Sequence, residues 1–139
     1  MANKRNVTVR MKADLEYESR NPQGNLVNID MYDPEHKHAQ SPMDLLLSAL
    51  GGCASVDAVL MMKKKRKEIV DFYVEVEGIR NEGVPAFYTD IELKFILVSP
   101  DATEEEFAKV VALSVDKYCS VASSLKSNIT YVSEVKRPQ

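Results

Sequence analysis

The sequence predicts an α+β fold in which antiparallel sheets surround a long buried central helix, with the element order β-β-α-β-β-α-(α)-β. Several segments alternate apolar and polar residues with the period of a strand. A long apolar segment with helical end signals begins at Ser41. Turn sequences rather than helical crossovers join most neighbouring strands, which favours antiparallel pairing. With 139 residues, of which 45% are hydrophobic, the chain is expected to form a single domain, residues 1–139.

The N-terminal part is predicted to be a hairpin. Residues 7–17 alternate without interruption, with apolar side chains at the odd-numbered positions, which is typical of a half-buried strand. The turn Asn21-Pro22-Gln23-Gly24 leads into a second strand at residues 25–32. The polar residues 33–40 that follow are predicted to form a loop.

The long helix is predicted to begin with a capping box and to end at about Lys67. Ser41 stands at the N-cap, Pro42 at the first helical position and Asp44 at the third, which is a favourable start for a helix. The basic run at residues 63–67 suits the negative end of the helix dipole. We interpret this run as a solvated helix end.

The middle of this helix is apolar around nearly its whole circumference, so we expect it to be buried on several sides. Gly51 and Gly52 lie within it, where glycine costs stability relative to alanine. Their presence indicates that another element approaches the helix closely. The candidates are the second helix and a partner subunit.

The C-terminal half repeats the alternation of strands and adds a second helix. Thr103 and Glu106 form a capping box, and apolar residues then follow with helical spacing to about residues 118–119. The remaining elements are two strands joined by a turn, a short helix and a last strand: residues 69–79, 88–98, 121–125 and 129–135.

Composition excludes several classes of function. The net charge of −3 gives no indication of nucleic-acid binding. The polar N-terminus lacks the apolar region of a signal peptide, and we expect no apolar run to approach the roughly 18 residues of a membrane span. These features predict a soluble, cytoplasmic protein that binds neither nucleic acid nor a membrane. Two cysteines are too few for a disulfide scaffold.

Cys53, in the long helix, and Cys119, at the end of the second helix, are therefore either inert core thiols or a reactive pair. They are too far apart in sequence for a local motif, and they can pair only if the fold brings their Cα atoms within about 7 Å. Because an apolar helix middle raises the pKa of a thiol, a reactive Cys53 needs a nearby cation. The candidate cations are Arg20, Arg10 and Lys117.

Asp57 and the two histidines are further polar residues that could belong to a site. Asp57 lies one turn beyond Cys53 on the same helix face, and its carboxylate must find a cation or hydrogen-bond donors if it is buried. His36 and His38 could ligate a metal ion together with the cysteines. They lie in a polar segment, however, so a solvated loop is expected and no metal site is predicted.

The stretch SPMDLLLSALGGCASVDAVLMMKKKR, followed later by KYCSVASSL, resembles the OsmC/Ohr family of osmotically inducible protein C and organic hydroperoxide resistance proteins. The likeness is strongest to the OsmC-like subgroup and extends over the element order of essentially the whole chain. It implies an intertwined homodimer, in which two long helices pack between sheets built from both subunits. It also implies that the active site lies at the subunit interface.

The resemblance further implies a cofactor-free thiol peroxidase for defence against oxidative stress. The helix cysteine, here Cys53, would attack a small or organic hydroperoxide and become a sulfenic acid. The second cysteine, here Cys119, would condense with it to a disulfide. An external dithiol of the lipoyl type would then restore both thiols. The family's activating arginine falls near Arg20.

One position departs from the peroxidase pattern. Met43 stands where the peroxidase members carry a glutamate that helps to activate the cysteine, and Asp44 is the nearest acid. Together with Asp57, these two residues are the candidates for contact with substrate. The departure keeps an alternative open: a non-catalytic dimer of the same fold that binds a ligand or senses the redox state.

Overall fold

The computed structural model describes residues 3–139. The chain divides into two compact units, Met1–Leu46 and Leu47–Gln139, and the division falls inside the long helix α1, Pro42–Lys64. The mixed α+β class predicted from the sequence is confirmed, with two three-stranded sheets and helices. That residues 1–139 form a single domain stays a prediction.

The first unit contains a sheet of three antiparallel strands in the order β1-β2-β3, formed by Thr8–Ala13, Glu16–Arg20 and Leu26–Asp30. The single strand predicted for residues 7–17 is therefore wrong, because a tight turn at residues 14 and 15 divides it into β1 and β2. The alternation of apolar and polar residues continues in phase across this turn, so the pattern does not indicate it. Met11 and Tyr17, both on the apolar face of the pattern, are cross-strand partners.

The predicted hairpin between residues 25–32 and the preceding strand is confirmed as β2 and β3. Asn21 organises its turn: the side-chain oxygen accepts the backbone N–H of Asn25 at 2.8 Å, and the carbonyl accepts the N–H of Gly24 at 2.9 Å. Gly24 has φ +90°, a conformation that residues with a Cβ rarely adopt.

β1 is exposed along its whole length, so the expected half-buried strand is not observed in the single chain. Val9 and Met11, on the face that the alternation marks as apolar, are 56% and 62% exposed. The alternation thus describes a face that no described part of this chain covers.

The predicted capping box at the start of α1 is confirmed. Asp44 N–H donates to Ser41 Oγ and Ser41 N–H donates to an Asp44 carboxylate oxygen, both at 3.1 Å. The helix ends at Lys64 rather than at Lys67, because Arg66 adopts φ 62°. The N–H groups of Arg66 and Lys67 then donate back to Lys63 and Met62, a Schellman motif that stops the helix.

α1 buries one stripe of residues in the single chain rather than several sides. The stripe recurs mainly every four residues and consists of Leu50, Gly51, Ala54, Ala58 and Met62. Apolar residues elsewhere on the helix are open to solvent, with Val56 at 60% and Leu60 at 53% exposure.

The expectation that no apolar run approaches the length of a membrane span is wrong. α1 contains an 18-residue window with a mean hydropathy of 1.8, so it passes the length and composition test for a span. The core helix of a soluble protein passes the same test, and 28% of this window is buried within the protein.

The second unit contains a sheet in the order β4-β5-β6, formed by Asp71–Arg80, Tyr88–Val98 and Asn128–Lys136. β4 and β5 form the predicted antiparallel hairpin. The expectation of purely antiparallel sheets is wrong, because β5 and β6 are parallel. Their connection contains the C-terminal helices, and such a crossover returns the chain to the same end of the sheet.

Gly51 lets α1 approach this sheet closely. A Cβ at Gly51 would lie 3.0 Å from Val76 Cγ2 and 3.2 Å from Val74 Cγ1, both on β4. The close element is therefore a strand, and not the second helix expected from the sequence. A Cβ added at Gly52 would meet no described atom within 4 Å, so the approach of a partner subunit at Gly52 stays a prediction.

The second helix α2, Glu104–Leu113, begins with the predicted capping box. Glu106 N–H donates to Thr103 Oγ1 at 3.2 Å, and Thr103 N–H donates to the Glu106 carboxylate at 2.8 Å. Phe107 of α2 is fully buried, and its ring lies 6.2 Å from that of Phe72 on β4, edge to face. The helical path continues as a π-helical turn, Ser114–Tyr118, and Cys119 separates this turn from the short helix α3, Ser120–Ser124.

Candidate functional site

Cys119 occupies the junction between the π-helical turn and α3. Its backbone leaves the helical conformation, with φ −77° and ψ 103°, and its side chain is only 3% exposed. The backbone N–H of Ala122 donates to Cys119 Sγ at 3.4 Å, so the sulfur caps the first turn of α3. A π-helical segment beside a candidate site residue is a recurrent feature of functional sites.

Cys53 lies on α1 and is half-buried, and it is a close neighbour of Cys119, near enough to raise the pKa of the Cys119 thiol. Both cysteines are free thiols. The fold thus brings together two cysteines that are far apart in the sequence. The contact lies wholly within the second unit.

The surroundings of the pair distinguish its two members. Burial raises the pKa of the Cys119 thiol, and the neighbouring Cys53 raises it further, while the N–H groups of Ala122 and Val121 oppose the rise without cancelling it. Cys119 is therefore protonated near neutral pH. Since the thiolate is the nucleophile, Cys53 is the better candidate for a first attack.

An apolar depression of about 670 Å³ lies on the surface of the second unit. Its lining consists of Asp57, Leu60, Met61, Lys63, Lys64 and Tyr118. Asp57 is one helical turn beyond Cys53, and Tyr118 immediately precedes Cys119. The depression thus adjoins both cysteine-bearing segments.

Asp57 is half-buried at this depression rather than enclosed in an apolar core. Among residues 3–139 no hydrogen bond or ion pair of its carboxylate is observed. The Asp57 carboxylate is therefore accessible to solvent and does not have, among the described residues, the cation or hydrogen-bond donor expected for a buried group. Lys63 and Lys64 line the same depression. A role for Asp57 in substrate binding stays a prediction.

A second depression, of about 290 Å³, is bounded by Cys119 itself. Lys117, one of the candidate cations, lies on its lining, and the Lys117 ammonium is 5.3 Å from the ring centre of Tyr118. Asp116 also lines it and accepts a hydrogen bond of 2.5 Å from the hydroxyl of Tyr131. Lys117 is thus the candidate cation that the second unit itself provides.

Arg20 and Arg10 lie in the first unit, on the sheet β1-β2-β3. With Thr8 and Glu18 they line a depression of about 200 Å³. Arg20 Nη2 is 3.9 Å from the Glu18 carboxylate, and Glu18 is the cross-strand partner of Arg10. The Arg20 side chain is 54% exposed, and its ion pair with Glu18 is long. Its predicted action on Cys53, which belongs to the second unit, stays a prediction.

The two residues at the start of α1 differ in what they do in the structure. The Asp44 carboxylate is committed to the helix cap, as described above. Met43 lies half-buried in the first turn. Contact of either residue with substrate stays a prediction.

The histidines take part in ion pairs within the first unit. His36 Nδ1 is 2.7 Å from the Asp33 carboxylate, and His38 Nε2 is 3.2 Å from that of Glu16. Over the described range, 3–139, no group of three or more His, Cys, Asp or Glu side chains is arranged to hold a metal ion.

Sequence reasoning missed two features of the site. It did not identify Tyr118 as a lining residue, nor the Ala122 N–H as a hydrogen-bond donor to the Cys119 sulfur. The signal for the second was present: the small residues of SVASS directly after Cys119 favour a tight helical turn, whose first N–H groups are free to donate.

Comparison with known proteins supports the resemblance noted in the cysteine motifs. The family model described as OsmC-like protein matches residues 34–134. Protein YhfA of Escherichia coli strain K12 is 41% identical over 99 residues, which are 70% of this chain and 74% of YhfA.

Two solved structures share the fold. The OsmC-like protein from Mycoplasma pneumoniae superposes with a TM-score of 0.82 at 20% identity, over 98% of this chain and 99% of that one. The organic hydroperoxide resistance protein OhrB of Bacillus subtilis gives 0.63 at 17% identity, over 96% and 98%. The match over residues 34–134, together with the likeness to YhfA, establishes that this chain belongs to the OsmC-like protein family, as its two cysteine motifs predict.

Proposed function

We propose that this protein is a cysteine-dependent thiol peroxidase that reduces organic or small hydroperoxides in the response to oxidative stress. The observation that carries the proposal is that the fold brings the Cys53 and Cys119 side chains close enough for Cys53 to raise the pKa of the Cys119 thiol. Two cysteines can form a disulfide where the fold holds their Cα atoms within about 7 Å. Membership in the OsmC-like family, and the name of its structural neighbour OhrB, support an action on hydroperoxides.

The proposed reaction is a two-electron reduction of the peroxide by the thiol pair. The Cys53 thiolate attacks the terminal oxygen of ROOH, the O–O bond breaks, and RO⁻ takes up a proton and leaves as ROH. The Cys119 sulfur then attacks the sulfur of the Cys53 sulfenic acid. The thiol proton and the sulfenic hydroxyl leave as water, and a Cys53–Cys119 disulfide remains.

A reductant from outside the chain closes the cycle. An external dithiol of the lipoyl type transfers two electrons to the disulfide by thiol–disulfide exchange and is itself oxidised to a disulfide. Cys53 is less buried than Cys119, which favours attack by the reductant on Cys53.

The apolar depression beside the cysteine-bearing segments supports an organic substrate. Leu60 and Met61 provide apolar surface for the organic part of a hydroperoxide, and the lysines at residues 63 and 64 suit a substrate with an anionic end. For activation of Cys53 we propose Arg20, from the family resemblance, with Lys117 beside Cys119 as the second candidate.

We further propose that the protein works as a cytoplasmic homodimer with the active site at the subunit interface. The exposed apolar residues of α1 and β1 support this, since large exposed apolar surfaces mark interaction sites. Val56 and Leu60 of α1, together with Val9 and Met11 of β1, are each more than half exposed in the single chain.

Peroxide turnover measured with a dithiol reductant tests this function. A panel of hydrogen peroxide, a short alkyl hydroperoxide and a long-chain acidic hydroperoxide should give turnover, highest for the organic substrates. Cys53→Ser should abolish it, and Cys119→Ser should accumulate a sulfenic acid that a 1,3-dione reagent traps on Cys53. Ser120→Ala, next to Cys119 and exposed, serves as the control and should retain activity.

A second candidate function is favoured by Met43 and by the Asp44 carboxylate, which is committed to the helix cap. In this alternative the dimer binds a ligand or senses the redox state and does not turn over peroxide. A measured Cys53 pKa near 9, with no peroxide consumed by the folded dimer, would favour the alternative. A pKa below about 7 would favour the peroxidase.

A further inference from the structure

The first unit contains a cluster of charged side chains around one buried carboxylate, and the proposed peroxidase does not use it. Asp30, at the end of β3, has no solvent-exposed surface. Lys37 Nζ donates to one of its carboxylate oxygens at 2.7 Å, and the N–H groups of His38 and Ala39 donate to the other at 2.9 and 2.7 Å. A buried carboxylate is costly unless it is paired. The segment that supplies these donors, residues 36–39, which we name the strap, is therefore held onto β3.

A second carboxylate faces Asp30. Glu16 of β2 is its direct cross-strand partner, and like charges in opposed positions repel each other. The imidazole of His38 lies beside both groups, with Nε2 3.2 Å from the Glu16 carboxylate and Nδ1 3.6 Å from that of Asp30. Nδ1 is also 3.4 Å from the His36 carbonyl oxygen. Both ring nitrogens thus face acceptors, and only the protonated imidazole has a proton on each.

The other charged groups around His38 come from every neighbouring element. On β1, Lys12 lies 3.6 Å from the Glu16 carboxylate. The Tyr32 hydroxyl donates to Glu16 at 3.2 Å, and the Tyr32 ring is centred 5.7 Å from that of His38. Within the strap, Lys37 neutralises Asp30. Two carboxylates and two ammonium groups therefore surround the imidazole and balance each other, so the charge of the imidazole sets the net charge of the cluster.

The pKa values support this division of roles. Burial opposes ionisation of Asp30, but Lys37 and the two N–H groups outweigh it and lower the pKa of Asp30 to about 2. Asp30 thus stays charged near neutral pH. The hydrogen bond to Glu16 raises the pKa of His38, and the same contact lowers the pKa of Glu16. Among the side chains of the cluster, His38 is of the type whose ordinary pKa lies nearest neutrality, and its contact with Glu16 moves that pKa upward.

The strap connects directly to α1. The Asp30 N–H donates to the Gln40 carbonyl at 3.3 Å, so the chain remains paired with β3 until one residue before the N-cap Ser41. Loosening of the strap would therefore release the segment that leads into the first turn of the helix.

We propose that this cluster is a pH-sensitive clasp, in which protonated His38 fastens the strap to β2 and β3 and deprotonated His38 loosens it. Because the folded state holds the His38 proton more tightly than the unfolded chain does, the stabilisation is complete at pH values below the pKa of a free histidine. It is lost as the pH rises through the higher folded pKa. The strap is thus ordered in mildly acidic solution and loosens in alkaline solution.

NMR of the imidazole rings tests the first half of this proposal. The chain has 2 histidines, and His36→Gln and His38→Gln assign their signals. His38 should titrate at a higher pH in the folded protein than in the chain unfolded in urea, and Glu16→Gln should lower the folded value toward the unfolded one. A His38 value in the folded protein at or below the unfolded value, or one that Glu16→Gln leaves unchanged, would overturn the proposal.

Amide hydrogen exchange tests the second half. The protection factors of the His38 and Ala39 amides, corrected for the intrinsic pH dependence of exchange, should fall as the pH rises through the measured His38 pKa. A pKa difference of one unit between the folded and open states corresponds to a fall of about tenfold. His36→Gln should retain this pH dependence, and His38→Gln should remove it. Protection that does not change with pH in the wild-type protein would also overturn the clasp.

Discussion

The packing of α1 against β4 makes a sharp prediction for Gly51. Alanine in its place removes the helical penalty of glycine, a gain of about 1 kcal/mol. The added methyl, however, would lie 3.0 Å from Val76 and 3.2 Å from Val74. Both valines are β-branched residues of a paired strand and have little freedom to move aside. Overpacking of this kind costs about 1 to 3 kcal/mol. Gly51→Ala should therefore lower the free energy of unfolding by up to about 2 kcal/mol.

Gly52→Ala is the matched control, since its added methyl meets no described atom within 4 Å. In the isolated chain it should raise the stability by up to about 1 kcal/mol. The two variants should then differ by about 1 to 3 kcal/mol, which corresponds to roughly 3 to 10 °C in Tm for a chain of this size. Thermal and urea unfolding, followed by circular dichroism, measure the difference.

Equal stability of the two alanine variants would refute the reasoning about the contact between Gly51 and β4. A different outcome would be informative about Gly52. If Gly52→Ala lowers the stability in a way that depends on protein concentration, the partner subunit of the proposed dimer covers that position.

Two further predictions follow from the first unit and from α2. Asp30→Asn should remove the part of the acid sensitivity that this carboxyl group causes. Because folding lowers the pKa of Asp30 from 3.8 to about 2, the charged carboxylate stabilises the fold at pH values above 3.8. This stability is lost as the pH falls toward about 2. Unfolding followed between about pH 4 and pH 2 checks this, and an identical slope in both proteins would contradict it. Thr103→Ala should lower the stability by about 1 kcal/mol, because the capping box of α2 loses the hydrogen bond that the Glu106 N–H donates to Thr103 Oγ1. An unchanged Tm would contradict that assignment.

Local sequence signals predicted most of the elements of this fold. Both capping boxes were readable because a cap is a contact between residues three apart, Ser41 with Asp44 and Thr103 with Glu106. The limits of β5, Tyr88–Val98, agree with the alternating pattern because the inward face of the strand is buried by this chain.

The errors arose where a local pattern has two physical explanations. The alternation over residues 7–17 fits one strand or two strands in phase, and the turn at residues 14 and 15 does not interrupt it. The parallel pairing of β5 and β6 follows from the helical connection between them. The sequence did indicate this connection, but the predicted antiparallel pairing relied on the hairpins elsewhere in the chain. The end of α1 depends on a positive φ at Arg66. Arginine rarely adopts this conformation, so the sequence does not indicate that the helix ends there.

The candidate site depended on contacts that are distant in sequence. Spacing alone left Cys53 and Cys119 as either inert thiols or a pair, and only the resemblance to a family implied that they work together. The Asp30 cluster was missed for the same reason, because its members come from two strands and a loop. A signal was nevertheless present: an acid at an inward-facing strand position, followed within ten residues by lysine and histidine, needs those partners when it is buried.

The proposed function requires the two neighbouring thiols to act as one redox unit. Treatment of the reduced, folded protein with one equivalent of an organic hydroperoxide, followed by thiol titration and mass-spectrometric mapping, tests it most directly. The expected result is the loss of two thiols per chain and a Cys53–Cys119 disulfide within the chain. An unchanged thiol titre, with the fold and the oligomeric state of the protein intact, would contradict it.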